Sequence, residues 1–437
     1  MITQNLNVIP VLCTQCGMCE AICPKDAIEL VQDRYGCFFP QINKERCTRC
    51  DLCVKSCAAN VFDPTNISRK VVLNENSKKD SYLGNVLNTY AGYSQNKIIR
   101  RKGSSGGVAT SLIKFALENN IIQAAVASRL NEEKPFLGEG VVVKNPQDLA
   151  KTSGSKFLPI ATNSALKGII RDDKVEKIAL VGLPCQIHSL RKAMSELSPV
   201  KKKDILLIGL FCKQTKDLRF TEFLLSKAGA KKDDVKHIHY RKGSWPGSFV
   251  ATLKDGSERS LDRWHPAYGS FPWTLFLYSP IRCLLCSDAT AELADLAIGD
   301  PWLKEFKKET IGTSLIISRT EKGERILQEA RVSGAISFVP FSAEKIIESQ
   351  SKRAITLKKD NWFARYKLLR LIYKNIPRLE LKGRKVSLFD YLDALWIFSI
   401  RFFGSSKLAM LFLLRSPKIL LKIIAHTPLS SRFWRKP

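Results

Sequence analysis

The chain has 437 residues, 45% of them hydrophobic, so it can bury a large core in two or three domains and is too apolar for a disordered polymer. Its formal net charge is +29, but from Arg353 onward 19 Lys or Arg stand against 4 Asp or Glu, so about half of the excess belongs to the last fifth of the chain. Charge concentrated in a tail argues against a nucleic-acid protein, which needs basic and aromatic side chains interleaved over a binding fold, and no nucleic-acid partner is expected.

Residues 1–7 carry no basic cluster followed by a long apolar run, and no window reaches about 18 uninterrupted apolar residues, so neither a secretory signal nor a spanning helix is expected. Eight of the 13 cysteines form two runs: Cys13, Cys16, Cys19 and Cys23, then Cys47, Cys50, Cys53 and Cys57. Both have the C-x2-C-x2-C-x3-C spacing with which bacterial ferredoxins hold two 4Fe-4S clusters, the fourth cysteine of each run ligating the other cluster. Three thiolates wrap around a cubane on one loop and the fourth comes from elsewhere. A pair of structural zinc sites fits poorly, because zinc uses separated C-x2-C pairs. Residues 1–66 are therefore expected to form an α+β, ferredoxin-like two-cluster domain, with Cys37 between the runs as a packing residue. Pro24 follows Cys23 whereas Ala58 follows Cys57, which places the two clusters in different surroundings. Thiols in this spacing need a reducing interior, so the expected compartment is the cytoplasm.

Residues 67–96 are polar and mixed and read as a linker. From 97 to 350, apolar runs at 121–128, 140–143, 178–182, 204–211 and 312–318 alternate with helical patterns at 108–116, 186–197, 218–228 and 321–332. This predicts an α/β domain with a mixed, largely parallel sheet covered by helices. Gly103, Ser104, Ser105, Gly106 and Gly107 open the first of these helices, and Ser153, Gly154, Ser155 and Lys156 form a second small-residue loop. Loops of this type present backbone N–H groups to an anion, though many are only tight turns.

If the runs at 178–181 and 205–211 are parallel strands, Cys185 and Cys212 emerge at one sheet edge, and the pair Cys283 and Cys286 can complete four thiolates. Judged on residues alone, buried packing cysteines or a zinc site serve as well. His237 and His239 share a strand face without a third ligand and read as ordinary, partly buried histidines, as do His188 and His265; His188 lies close enough to Cys185 to assist proton transfer. Residues 264–273 are aromatic and Pro-rich and read as packing in preference to a loop laid over a site or an interdomain contact. After 350 the chain reads as a basic, amphipathic helical tail, with Arg415, Lys418 and Lys422 at helical intervals in 408–424. Such a tail suits peripheral contact with the anionic inner face of a membrane, or packing on its own protein or a partner.

The stretches Gly103-Ser-Ser-Gly-Gly107, Ser153-Gly-Ser-Lys156, Val181-Gly-Leu-Pro-Cys-Gln186, Phe211-Cys212, Arg282-Cys283-Leu-Leu-Cys286-Ser-Asp288, Ala294-Asp295, Gly299-Asp300 and Gly312-Thr-Ser-Leu occur in order across residues 90–335. Together they resemble the beta-subunit family of hydrogenases and dehydrogenases that use the deazaflavin coenzyme F420. The resemblance implies a flavin, FAD, surrounded by the two glycine-serine loops with Gln186, Gly299 and Asp300, and a third 4Fe-4S cluster held by Cys185, Cys212, Cys283 and Cys286. It breaks after Cys212, where Lys213-Gln214 stands in place of His-Gly, and this leaves the substrate and use of the deazaflavin open.

Clusters carry single electrons and cannot deliver hydride, whereas a flavin takes single electrons and passes on two with a proton. The expected function is an iron-sulfur flavoprotein oxidoreductase that takes electrons from a ferredoxin-type donor through three clusters to a flavin acting on an organic substrate or deazaflavin. The alternative is a non-catalytic electron-relay subunit of a larger redox complex. Lys156, Lys213 and His188 are the candidates for proton transfer.

Overall fold

The structure is a computed structural model that describes residues 10–59, 78–269, 271–274, 276–350, 355, 357–360, 362–373, 376, 386–404, 412 and 415–417. The amino-terminal unit is built from an antiparallel pair, β1 (Ile28–Gln32) and β2 (Phe38–Ile42), and two helical turns, Met18–Ala21 and Leu52–Ser56. The Asp33 carboxylate closes the connecting turn by accepting from the N–H of Tyr35 at 2.8 Å and of Cys37 at 2.9 Å. Cys37 is buried there, and burial pushes its thiol up to about 12. Met18, Ala21 and Ile22 share a core with Leu166, Ile169 and Ile170 of the main body, so the unit is seated on that body. Polar contacts reinforce the seat: Arg171 donates to the Cys23 carbonyl at 2.5 Å and Lys192 to the Cys57 carbonyl at 2.7 Å.

The remaining strands are β3 (Lys78–Asp80), β4 (Gly84–Val86), β5 (Asn88–Ser94), β6 (Ala124–Leu130), β7 (Gly138–Val143), β8 (Lys177–Gly182), β9 (Asp204–Leu210), β10 (Val235–Lys242), β11 (Ser248–Leu253), β12 (Glu258–Leu261), β13 (Leu296–Gly299), β14 (Ser314–Ser318) and β15 (Ile336–Pro340). The helices that position the site are α1 (Val108–Glu118), α2 (Pro184–Glu196), α3 (Leu218–Ala228), α4 (Glu321–Val332), α5 (Trp362–Ile372) and α6 (Leu388–Gly404). One mixed sheet runs β15-β5-β14-β13-β9-β8-β6-β7, its four middle strands β13, β9, β8 and β6 parallel and its flanks antiparallel. Both faces of the middle strands are buried, which is why Ile178–Leu180 and Ile205–Ile208 are continuous apolar runs. A smaller antiparallel sheet, β10-β11-β12, turns at Asp255 and Gly256 and packs with α3 in a separate aromatic core.

Two expected boundaries are corrected. Strand β5 lies within the stretch expected to be a linker, yet it pairs with both β14 and β15 inside the large sheet. Its sequence, Asn-Thr-Tyr-Ala-Gly-Tyr-Ser, has no apolar run because its middle is filled with small residues pressed against Phe338. The fold also continues past residue 350. Trp362, Phe363, Tyr366 and Leu369 of α5 and Ile397 and Phe398 of α6 bury against Leu12, Phe276, Leu284 and Leu285, and Arg365 donates to the Leu284 carbonyl at 2.6 Å. The stretch 408–424 expected as an amphipathic helix falls almost wholly outside the described residues. Among the described residues, no helix is long and apolar enough to cross a membrane.

Asp295 knots the layers together. Its carboxylate accepts from Arg191 Nη2 at 2.8 Å, from the Leu207 N–H at 2.8 Å and from Thr320 Oγ1 at 3.0 Å, with both ion-pair side chains under 9% exposed. Asp295→Ala strands the Arg191 guanidinium in the interior, so a loss of about 3–5 kcal/mol is expected. Denaturant unfolding followed by circular dichroism checks this; a change below about 1 kcal/mol would show the pair to be dispensable.

Candidate functional site

The thiols of the amino-terminal unit form two sets. Beside burial, Cys13 feels the charges of Cys16 and Cys57, and Cys19 those of Cys16, Cys13 and Cys57 ahead of Cys53. Cys53 instead feels Cys23 and Cys50, and Cys23, Cys47, Cys50 and Cys53 line one small cavity. Cys57 thus sits with the first triplet and Cys23 with the second, the crossed arrangement that two clusters require. Burial pushes Cys13 and Cys53 up to about 12. A thiol ligates metal only as the thiolate, so these pockets hold charged sulfur only beside a compensating positive group.

A third set lies at the carboxyl ends of two parallel strands. Cys185 occupies the first turn of α2 just after β8, and Cys212 follows β9, anchored by its N–H to the Ala289 carbonyl at 2.9 Å. Cys185, Cys212, Cys283 and Cys286 line a cavity of about 80 Å³ together with Cys13, Gln15 and Lys358. Burial, followed by the other thiols of the set and by Cys16, pushes Cys185 well above its ordinary value. Burial holds Cys212 at about 12, opposed by Lys358. Among the described residues no three His, Cys, Asp or Glu side chains close on one point as a single ion requires; the four thiols are instead spread around a cavity.

Next to it opens a larger cavity of about 640 Å³, within the range of organic cofactor sites. Its floor is the β-strand edge at Val181, Gly182, Leu210, Ile298 and Gly299, and one wall is the start of α1 with Gly103, Ser104, Ser105 and Gly107. Gly107 has φ +74°, a left-handed conformation that a side chain resists, and it turns the chain into α1. Ser104 Oγ accepts from the Ser155 N–H at 2.7 Å, which ties the loops 103–107 and 153–156 into one rim. Gly299 is held by close approach, because a Cβ there would run into the Phe211 ring.

Several expected site residues have other occupations. Gly106 is absent from the cavity wall and packs against Gly92 and Ser314, its N–H donating to Ser314 Oγ at 2.9 Å. Gln186 lines the cavity and also secures the start of α2, accepting from the Leu183 N–H at 2.7 Å and donating to Thr162 Oγ1 at 2.8 Å. Asp300 accepts from Arg241 at 2.6 Å, coupling the two sheets. Lys156 curls onto the carbonyls of Thr152, Ser153 and Gly154, and burial pulls its ammonium down to about 7. Lys213 lines the large cavity and His188 the small one. His237 and His239 are exposed on β10, contrary to the partly buried placement expected of them, because the bulged strand turns both outward. His265 Nδ1 accepts from the Ala267 N–H at 3.2 Å in a turn.

Sequence reasoning missed the opposite wall of the large cavity, Arg241, Arg263 and Trp302, which come from strand ends and turns with no motif. The aromatic stretch 264–273, expected foremost as packing, does both: Trp273 packs edge-on against Phe157 and Phe220, and Trp264 and Trp273 line the same cavity. Sequence reasoning also missed Lys358, which lies in the stretch read as a tail.

Thiols in dicluster spacing, seated on a sheet with a cofactor-sized cavity at its carboxyl edge, define a protein of the iron-sulfur oxidoreductase class. Residues 12–61 match the 4Fe-4S dicluster domain, and residues 89–167 and 175–344 match the N-terminal and C-terminal models of Coenzyme F420 hydrogenase/dehydrogenase, beta subunit. The chain belongs to that family. It is 29% identical over 361 residues to the Coenzyme F420-dependent sulfite reductase of Methanocaldococcus jannaschii, covering 78% of this chain but only 49% of the relative's own length. It is 28% identical to the Coenzyme F420 hydrogenase subunit beta of Methanothermobacter thermautotrophicus, over 60% of this chain and 88% of that one. A chain in the F420-reducing NiFe hydrogenase complex of Methanosarcina barkeri shares the fold, with TM-score 0.53 and 22% identity over 66% of this chain and 96% of its own.

Proposed function

We propose that the chain is an iron-sulfur flavoprotein oxidoreductase that carries single electrons between a ferredoxin-type protein and a flavin, FAD, by way of three 4Fe-4S clusters. Cys23, Cys47, Cys50 and Cys53 would hold the distal cluster, Cys13, Cys16, Cys19 and Cys57 the middle one, and Cys185, Cys212, Cys283 and Cys286 the core one. A bound flavin supplies the exchange between one-electron and two-electron transfer, so that an organic substrate or a deazaflavin can be reduced or oxidised.

The observation that carries this reading is a pair of shared walls. Cys13 of the amino-terminal unit lines the core thiol cavity, and Leu183, Gln186, Cys212 and Gln214 line both that cavity and the large one. The sites therefore adjoin in series. The loops 103–107 and 153–156 supply backbone N–H groups for the phosphates of a dinucleotide. Arg241, Arg263, Lys213, Trp264 and Trp302 make a cationic, aromatic wall that suits a planar, negatively charged substrate. Anaerobic purification with iron, sulfide and flavin measured on one sample tests the reading: about twelve iron and one flavin per chain support it, whereas about eight iron and no flavin leave only the relay subunit.

Among the described residues of the tail, α6 supports peripheral membrane contact, with Leu388, Leu392, Leu395 and Phe402 exposed at helical spacing. Binding to lipid vesicles is expected, weakened several-fold by L392E with L395E; no binding, or binding that these two substitutions leave unchanged, sinks the idea.

A further inference from the structure

Lys358 lies beyond the stretch matched to the family and is 1% exposed. Its ammonium donates to the Cys212 carbonyl at 2.7 Å, to the Asp288 carbonyl at 2.6 Å and to Cys286 Sγ at 3.3 Å. The two carbonyls fix the amine, and the third donor position is aimed at a sulfur. Nearby anchors hold the segment in place: Lys359 pairs with Glu292, and Arg365 donates to the Leu357 carbonyl at 2.8 Å. The lysines and arginines seated on the amino-terminal unit behave differently, since Lys192 and Arg171 donate to the cysteine carbonyls of Cys57 and Cys23. The nearest opposing charge, Asp288, directs its carboxylate to the N–H groups of Thr290 and Glu292.

We infer that Lys358 tunes the core cluster: a fixed cation and sulfur hydrogen bond that raise the reduction potential of the site next to the large cavity. The inference rests on the third cluster proposed above. Reduction places one electron on the site without making or breaking a bond, so the added negative charge is stabilised by a cation in contact with a ligand sulfur and unscreened by water. The ammonium cannot move away, because the carbonyls of residues 212 and 288 hold it.

The test is a dithionite titration with mediators, followed by electron paramagnetic resonance, on the full-length anaerobic protein. Lys358→Gln keeps a donor but removes the charge; Lys358→Arg keeps the charge. The Gln variant is expected to hold about twelve iron and to make the core cluster at least tenfold harder to reduce, a shift of about 59 mV downward for a one-electron couple, with the Arg variant close to the parent. A Gln variant whose potential matches the parent overturns the inference, as does an Arg variant shifted equally. Loss of four iron from the Gln variant alone also overturns it, by making the lysine an assembly element. About eight iron in the parent protein is the separate result that removes the third cluster itself.

Discussion

Replacing Cys185 by serine is expected to lower the iron content from about twelve to about eight per chain and to stop electron transfer from reduced ferredoxin to the flavin. Cys185 sits on the first turn of α2, fixed by Pro184 and by the Gln186 cap, so the helix should survive the change of one atom. What is lost is the soft thiolate that iron-sulfur clusters require, in a cavity also lined by the thiols of Cys212, Cys283 and Cys286. The eight cysteines of the two amino-terminal runs are untouched. Bleaching of the flavin by reduced ferredoxin should therefore fall by at least 100-fold, while direct chemical reduction of the flavin continues. Cys37→Ser is the control, since Cys37 is buried outside the two runs and lines neither the core thiol cavity nor the distal one. Full iron content and unimpaired transfer in Cys185→Ser would refute the core cluster.

The two amino-terminal thiol runs were legible in the sequence because a cubane dictates ligand spacing on a single loop, and short-range geometry leaves a short-range pattern. The strand-loop-helix repeat was legible for a similar reason: strands buried on both faces, such as β8 and β9, become apolar runs. Strand β5 was hidden because its partners are 220 or more residues away and only demand that Ala91 and Gly92 be small. The predicted cofactor residues illustrate a different limit. Sequence placed Gly299 and Asp300 at the cavity, where they are, but could not tell that Asp300 is already paired with Arg241 or that Gly106 serves packing. Lys358 carried no signal at all. It sits in Lys358-Lys359-Asp360, and only the packing of α5 on Leu284 explains why one of two adjacent lysines is buried among thiols while the other pairs with Glu292.

Reversing the charge around the distal thiols is expected to slow reduction by an acidic ferredoxin by about 100-fold at low ionic strength, within the range that electrostatic steering spans. Cys50 is the one exposed cysteine, so the line of sites meets solvent there. Lys25 and Arg49 line the distal cavity, and Lys44, Arg46 and Lys55 are exposed around it. Of the carboxylates in the region, Glu45 and Asp51 are exposed, while Asp26 is engaged by Lys167 at 2.8 Å and Arg171 at 2.7 Å. The net field at the mouth is positive and favours a negatively charged carrier. The triple variant K25E, K44E and R46E changes only exposed side chains and leaves every thiol in place, so its iron content should equal the parent's. Stopped-flow reduction at low salt and near 1 M salt separates steering from damage: at high salt the Debye length is about 3 Å, and the variant should approach the parent. A small neutral reductant should reduce both proteins at the same rate. An unchanged rate at low salt, or a deficit that persists at high salt, would mean that electrons enter elsewhere.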